Sequence, residues 1–200
     1  MKKLLKFLAL AQLVCLLIFA GMLLADKQTL GNDLVRLHVV GASDTEADQT
    51  VKLFVRDAIV AHTDKLLAGA QDADAACAIL EANLDALTQT ANEALMAAGS
   101  TDIAAVSLQR EAFPVRHYES FSLPSGVYRA LRVKIGSAQG ANWWCVVFPS
   151  LCMGPASEPA AAAGAGFSDS LTHTLAGEPE YRVSFFLLDC IGKLENFFFS

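Results

Sequence analysis

The residues able to do chemistry are few and scattered. His38, His62, His117 and His173 each stand alone, and a lone histidine on a strand is more often structural than a ligand. The chain has no G-x-S-x-G elbow, no H-E-x-x-H pair and no G-x-x-x-x-G-K-[ST] loop. Asp44 and Asp48 lie one helical turn apart, so their carboxylates can share a face as an acid–base pair or metal ligands. They also fall at the start of an expected helix, where the helix dipole favours negative charge. That second reading needs no further assumption. Cys145 is a candidate nucleophile by type, but no neighbour in sequence supplies a base or cation to lower its pKa. No C-x-x-C pair is present. Cys145 and Cys152 form the one close pair, to be read as a disulfide or as two buried thiols. No metal site and no cofactor are expected, and the reading is of a protein that is not an enzyme.

The most unusual tetrapeptide is Asn142-Trp143-Trp144-Cys145. Adjacent tryptophans on a strand point to opposite faces. One can fill a core while the other meets solvent or a partner, as hot-spot tryptophans do. The alternative is that both are covered, one by each layer.

The rest of the chain must position these groups. Its net charge of −6 argues against nucleic-acid binding and against a polybasic membrane surface. Lys2, Lys3 and Lys6 precede an uncharged apolar run over residues 7–25. That run is close to the ~20 residues needed to cross a bilayer, and longer than the core of most signal peptides. Asp26 and Lys27 end the run. Residues 1–25 therefore read as a signal sequence or membrane anchor, with a lean to an uncleaved anchor because Leu23 suits a cleavage site poorly. The remainder of the chain should be translocated.

Residues 34–40 read as a strand, with Val35, Leu37 and Val39 on one side and Arg36 and His38 on the other. Ser43 and Glu46 have capping-box spacing for a helix running to about Leu67. A second helix is expected over 72–98, antiparallel to the first. Strands are expected over 103–110, 115–122, 127–135 and 143–148, the last an unbroken apolar run that reads as a central strand. Residues 153–180 are rich in Ala, Gly, Pro and Ser and read as a flexible loop. Residues 181–200 read as a helix returning to the domain, with Asp189, Lys193 and Glu195 on its polar side. The expected fold is α+β: an N-terminal apolar helix, then a mostly antiparallel sheet of about 4–5 strands carrying a helical hairpin and a C-terminal helix.

Two blocks are distinctive. The first is Arg36-Leu37-His38-Val39-Val40-Gly41-Ala42-Ser43-Asp44, joined by Asp48-Gln49 and Lys52-Leu53-Phe54-Val55-Arg56-Asp57-Ala58. The second is Leu123-Pro124-Ser125-Gly126-Val127-Tyr128-Arg129-Ala130-Leu131, then Gly136, Gly140 and the run from Asn142 to Cys152. Together they resemble the stage II sporulation protein R family over about residues 30–152, and the C-terminal helix, the last twenty residues, is similar in kind. The chain departs from that pattern at Gly41-Ala42, where the family usually reads Ala-Asn, and at Ser150, where it reads Pro.

The resemblance implies a protein made in the forespore and exported to the space between the septal membranes. There it activates a membrane-embedded aspartic protease of the mother cell, which removes the pro-sequence of sigma-E. Asn142, Trp143 and Trp144, with Ser43, Asp44 and Asp48, are the residues expected to meet that protease. Two alternatives are an envelope-anchored hydrolase using Asp44, Asp48 and His38, and a passive wall-binding module.

Overall fold

A computed structural model describes residues 2–118, 121–150, 169–176 and 182–199. The N-terminal helix α1 covers Lys2–Asp33. The apolar run therefore does not end the helix at Asp26. Two further turns continue into the domain, where Leu30 is wholly buried and Lys27 nearly so.

Strand β1 (Val35–Val40) is followed by α2 (Glu46–Leu67), α3 (Ala73–Ala82) and α4 (Leu84–Ala97). The cap of α2 is Thr45, not Ser43: Thr45 is the extended residue before the first helical turn, and its Oγ1 accepts the Asp48 N–H at 3.2 Å. Ser43 sits two residues too early. It accepts the Thr45 N–H and donates to the Asp48 carboxylate instead. The single helix expected over 72–98 is broken at Asn83, whose backbone leaves the helical region (ψ 16°) and whose Nδ2 donates back to Ile79 O. Asp72 caps α3 by accepting the Ala75 N–H at 2.7 Å.

Strands β2 (Ala104–Phe113), β5 (Gly126–Ile135) and β6 (Asn142–Phe148) join β1 in one mixed sheet, in the order β2-β5-β1-β6. Two of the three pairings are antiparallel, while the inner pair β1–β5 is parallel, with Leu37 opposite Leu131. The order overturns one expectation: the apolar run 143–148 forms an edge strand, and the central strands are β1 and β5. The strand expected over 115–122 is instead a small hairpin of β3 (Arg116–His117) and β4 (Ser122–Leu123), closed by a Tyr118 N–H bond to Phe121 O.

Helices cover both faces. Val35, Leu37, Val39, Leu131, Val133 and Val147 pack against α2, α3 and α4 through Val55, Ile59, Leu80, Leu87 and Leu95. The opposite face holds Phe113, Tyr128, Ala130 and Val146 under Leu30 of α1 and Leu188 of the C-terminal helix. Every residue of β1 is buried as a result. Within the stretch expected to be a loop, Asp169–Leu175 forms helix α5, whose Leu175 joins this second core. A seven-residue element was hidden by the composition around it. Residues 153–168 and 177–180 lie outside the described residues. The C-terminal helix α6 spans Arg182–Phe199.

Candidate functional site

The end of β1 and the start of β6 pair Val40 with Asn142. The loops beyond them are stitched together. The Gly140 N–H donates to Gly41 O at 2.9 Å, Ser137 Oγ donates to Ala42 O at 2.6 Å, and the Ala141 N–H donates to Asp44 Oδ1 at 2.6 Å. Lys52 Nζ, from α2, donates to Ala141 O at 2.9 Å. Burial pushes the Lys52 ammonium below its usual pKa, with Asp44 opposing that shift and Arg56 adding to it. At Gly140 an added Cβ would stand 2.3 Å from Ser43 O, so the two loops can approach this closely only with glycine there. Ser43, Asp44, Asp48 and Asn142 thus share one end of the sheet, in a ridge of fixed backbone.

The two tryptophans leave this ridge in opposite directions. Trp143 faces α2, is 37% exposed, and stacks beneath the Arg56 guanidinium at 4.3 Å. Trp144 turns to the other face, against Phe113 and His38, with the Arg116 guanidinium 3.7 Å from its ring centre. Cys145, next along the strand, is buried in the opposite core, under α2 to α4. The expected Cys145–Cys152 pairing lies outside the described residues, because Cys152 does.

Behind Trp144 is a polar cluster that sequence reasoning missed. His38 Nδ1 is 3.0 Å from Glu111 Oε1, and His38 Nε2 is 2.8 Å from Asn142 Oδ1. Arg132 pairs with the same Glu111 oxygen at 3.3 Å. Both ring nitrogens of His38 are therefore engaged, while the Asp44 carboxylate accepts the Ala141 N–H and the Asp48 carboxylate accepts the Ser43 hydroxyl. Among the described residues, the three residues of the hydrolase alternative share no hydrogen-bond partner. Beside them the Arg36 guanidinium lies 4.1 Å from the Phe113 ring centre and 4.9 Å from that of Tyr128, and Nη2 donates to the Tyr118 hydroxyl. Its Nε and Nη1 are buried with no hydrogen-bond partner among the described residues. Burial lowers the pKa of Arg116, with Tyr118 opposing and Arg36 adding. The signal available was the alternation of Arg36 and His38 on a strand. It becomes informative only once that strand is known to be covered on both faces.

A second polar junction fixes α6 to the sheet. Asp189 Oδ1 accepts both the Ser125 N–H (2.9 Å) and the Ser125 hydroxyl (2.6 Å), so Asp189 is not on the solvent face as expected. Glu195 accepts the Val127 N–H at 3.1 Å and pairs with Lys27 of α1 at 2.8 Å. Burial opposes the charge on Asp189, but hydrogen bonds from Lys193 and Ser125 outweigh it and hold the carboxyl below its ordinary range. Glu195 behaves alike: burial is outweighed by Lys27 and the Val127 N–H. For both, the folded pKa lies below the unfolded one. Their contribution is therefore complete above the ordinary carboxylate range and is lost as pH falls through the folded values. Acidification below about pH 4 should loosen α6 ahead of the sheet. Hydrogen exchange of α6 amides against pH checks this, and Asp189→Asn should remove part of the acid dependence. An acid response equal in both chains would refute it.

A mixed sheet with helices on both faces and a tryptophan-bearing ridge at one end makes an α+β domain, and the long apolar helix that leads into it is consistent with secretion or membrane anchoring. The chain belongs to the stage II sporulation protein R family, whose family model matches residues 31–158. It is similar to Stage II sporulation protein R of Bacillus subtilis (strain 168), with 30% identity over 118 residues, 59% of this chain and 53% of that protein. The chain thus spans about half the length of the curated relative it matches. No solved structure matches it.

Proposed function

We propose that the chain is an exported signal of endospore formation that switches on a membrane-embedded aspartic protease of the mother cell, the enzyme that trims pro-sigma-E. Membership of a sporulation family supports this reading. The observation that carries the surface is that the two distinctive sequence blocks meet in one ridge, through the Asp44–Ala141 and Gly41–Gly140 bonds. On this reading the chemistry belongs to the protease, and the chain supplies a rigid face. Trp143 is the anchor: it is partly exposed and held by Arg56, so little side-chain freedom is lost when a partner covers it. Ser43, Asp44, Asp48 and Asn142 form the polar rim. The N-terminal segment delivers the domain to the septal space, either secreted or tethered.

Trp143→Ala should leave the circular dichroism spectrum and urea midpoint near those of the parent. Pro-sigma-E processing should fall with a loss of ~2 kcal/mol of binding, about 30-fold in affinity. Trp144→Ala should instead destabilise the fold by ~3 kcal/mol, because its ring is packed among Phe113, His38 and Arg116. A folded Trp143→Ala chain that supports processing at the parental rate rules the surface out. Pelleting of the chain with purified peptidoglycan, with no effect on processing, would favour the wall-binding alternative.

A further inference from the structure

Helix α6 ends in three consecutive phenylalanines that the fold leaves uncovered. Phe197 is 77% exposed and Phe198 83% exposed, and Leu194 and Phe199 are also exposed. An apolar surface of this kind on a soluble face needs an explanation. Its position supplies one. α6 lies beside the last turns of α1, joined by the Lys27–Glu195 ion pair at 2.8 Å. The two helices line a groove of about 420 Å³, with Leu24, Lys27 and Gly31 on one wall and Leu194, Glu195 and Phe198 on the other. Phe198, near the tip of α6, thus shares a groove with Leu24, at the end of the apolar run, where Met22 and Leu24 are themselves exposed.

α1 is the one helix among the described residues long and apolar enough to cross a membrane. With α1 in a bilayer, Leu24 at the end of the apolar run falls where hydrocarbon gives way to headgroups, and Phe198 lines the groove beside it. Aromatic side chains are favoured at that depth. Arg110 is exposed and lines the same groove, bonded to Asn32 Oδ1 at 3.3 Å, which sets a cation in the groove that Phe198 also lines. Lys27 and Glu195 neutralise one another, so neither opposes entry of the groove into the interface.

We propose that the tip of α6, Leu194 with Phe197, Phe198 and Phe199, inserts into the interface of the same phospholipid bilayer that α1 occupies. The domain is then held at two points. A single helix would leave it free to swivel. A second contact on α6, which is fixed to the sheet by Ser125–Asp189, sets the orientation of the whole sheet relative to the membrane. β1 runs away from α1, and Trp143 pairs with Val39 near its far end. The ridge therefore lies at the end of β1 remote from its junction with α1. The proposal rests on α1 staying in the bilayer, and the test reads that separately.

The full chain is reconstituted into phosphatidylcholine–phosphatidylglycerol vesicles, with or without bromine near the ester end of the acyl chains. Three proteins are compared: the parent, F198W and F186W. Phe186 is also exposed but stands twelve residues back along α6, about 18 Å by helical rise. Retention of the chain by the vesicles at alkaline pH reports on α1. The expected result is retention of all three, with the added emission of F198W quenched at least about twofold by bromine and that of F186W unchanged. Retention with F198W no more quenched than F186W overturns the insertion and leaves the anchor standing. Loss of the chain from the vesicles overturns both. An F198W signal that changes with protein dilution and ignores bromine places a second copy of the chain on the helix tip, and overturns the proposal as well.

Discussion

Gly192→Ala should detach the C-terminal helix and cost the domain ~3 kcal/mol or more, the upper range for forcing atoms into a packed contact. A Cβ built at Gly192 would stand 1.6 Å from Ser125 O and 2.4 Å from its carbonyl carbon. Those atoms are backbone and cannot swing aside. Ser125 also makes three hydrogen bonds with Asp189, through its N–H and hydroxyl, so a shift of α6 that relieves the clash strains the bonds that hold it. Propensity alone predicts the opposite sign, since alanine favours a helix over glycine by ~1 kcal/mol. Urea denaturation of the two chains separates the alternatives. A Gly192→Ala midpoint at or above the parent's would mean that the helix does not pack against the Ser125 turn.

A second large effect is expected at Arg36, where two substitutions should diverge. Arg36→Ala should destabilise by ~2–5 kcal/mol, through the cavity left between Phe113 and Tyr128. Arg36→Met should recover most of that loss. The guanidinium is wholly buried and, among the described residues, has one hydrogen bond, to Tyr118, leaving Nε and Nη1 without one. Burying an ion costs several kcal/mol, and a desolvated cation–π contact returns ~2 kcal/mol. The shape of the side chain is thus worth more here than its charge, and methionine supplies similar length without the desolvation. Equal destabilisation by Ala and Met in urea titrations would reverse this argument and make the charge the essential feature.

Sequence reasoning went far where the physics was local. The alternation of Val35, Leu37 and Val39, the apolar spacing of α2 and the ends of the segment 72–98 all stem from periodicity. It failed where a third element decided. Ser43 and Thr45 both have cap chemistry, and only the path of the Gly41 turn selects Thr45. Asn83 breaks a helix whose apolar spacing continues across it, by turning its amide onto Ile79 O. The run 143–148 is apolar enough for a central strand. It lies at the edge because β5 takes the other side of β1, and pairing order is not written in either strand alone. Asp189 looked like a solvent residue on an amphipathic helix until Ser125, distant in sequence, met it. At the ridge, the nearness of the 43–48 segment to Asn142 was proposed from the sequence. The Glu111, Arg132 and Arg36 cluster behind it was not, because β2, β5 and β1 contribute one residue each.

The parallel pairing of β1 with β5 has a consequence for timing. Val35 forms its ladder with Arg129 on one side and Phe148 on the other, so the first strand of the domain pairs only with strands made much later. Contacts this distant in sequence are slow to form, since the loop between them must close before anything is gained. A chain emerging N-terminus first, from a ribosome or through a pore, therefore exposes an unpaired apolar strand until almost all of the domain has emerged. The helices α2 to α4 can form beforehand, but the Asp44–Ala141 stitch cannot. The ridge comes into existence late and all at once, and a truncated or half-emerged chain presents no part of it.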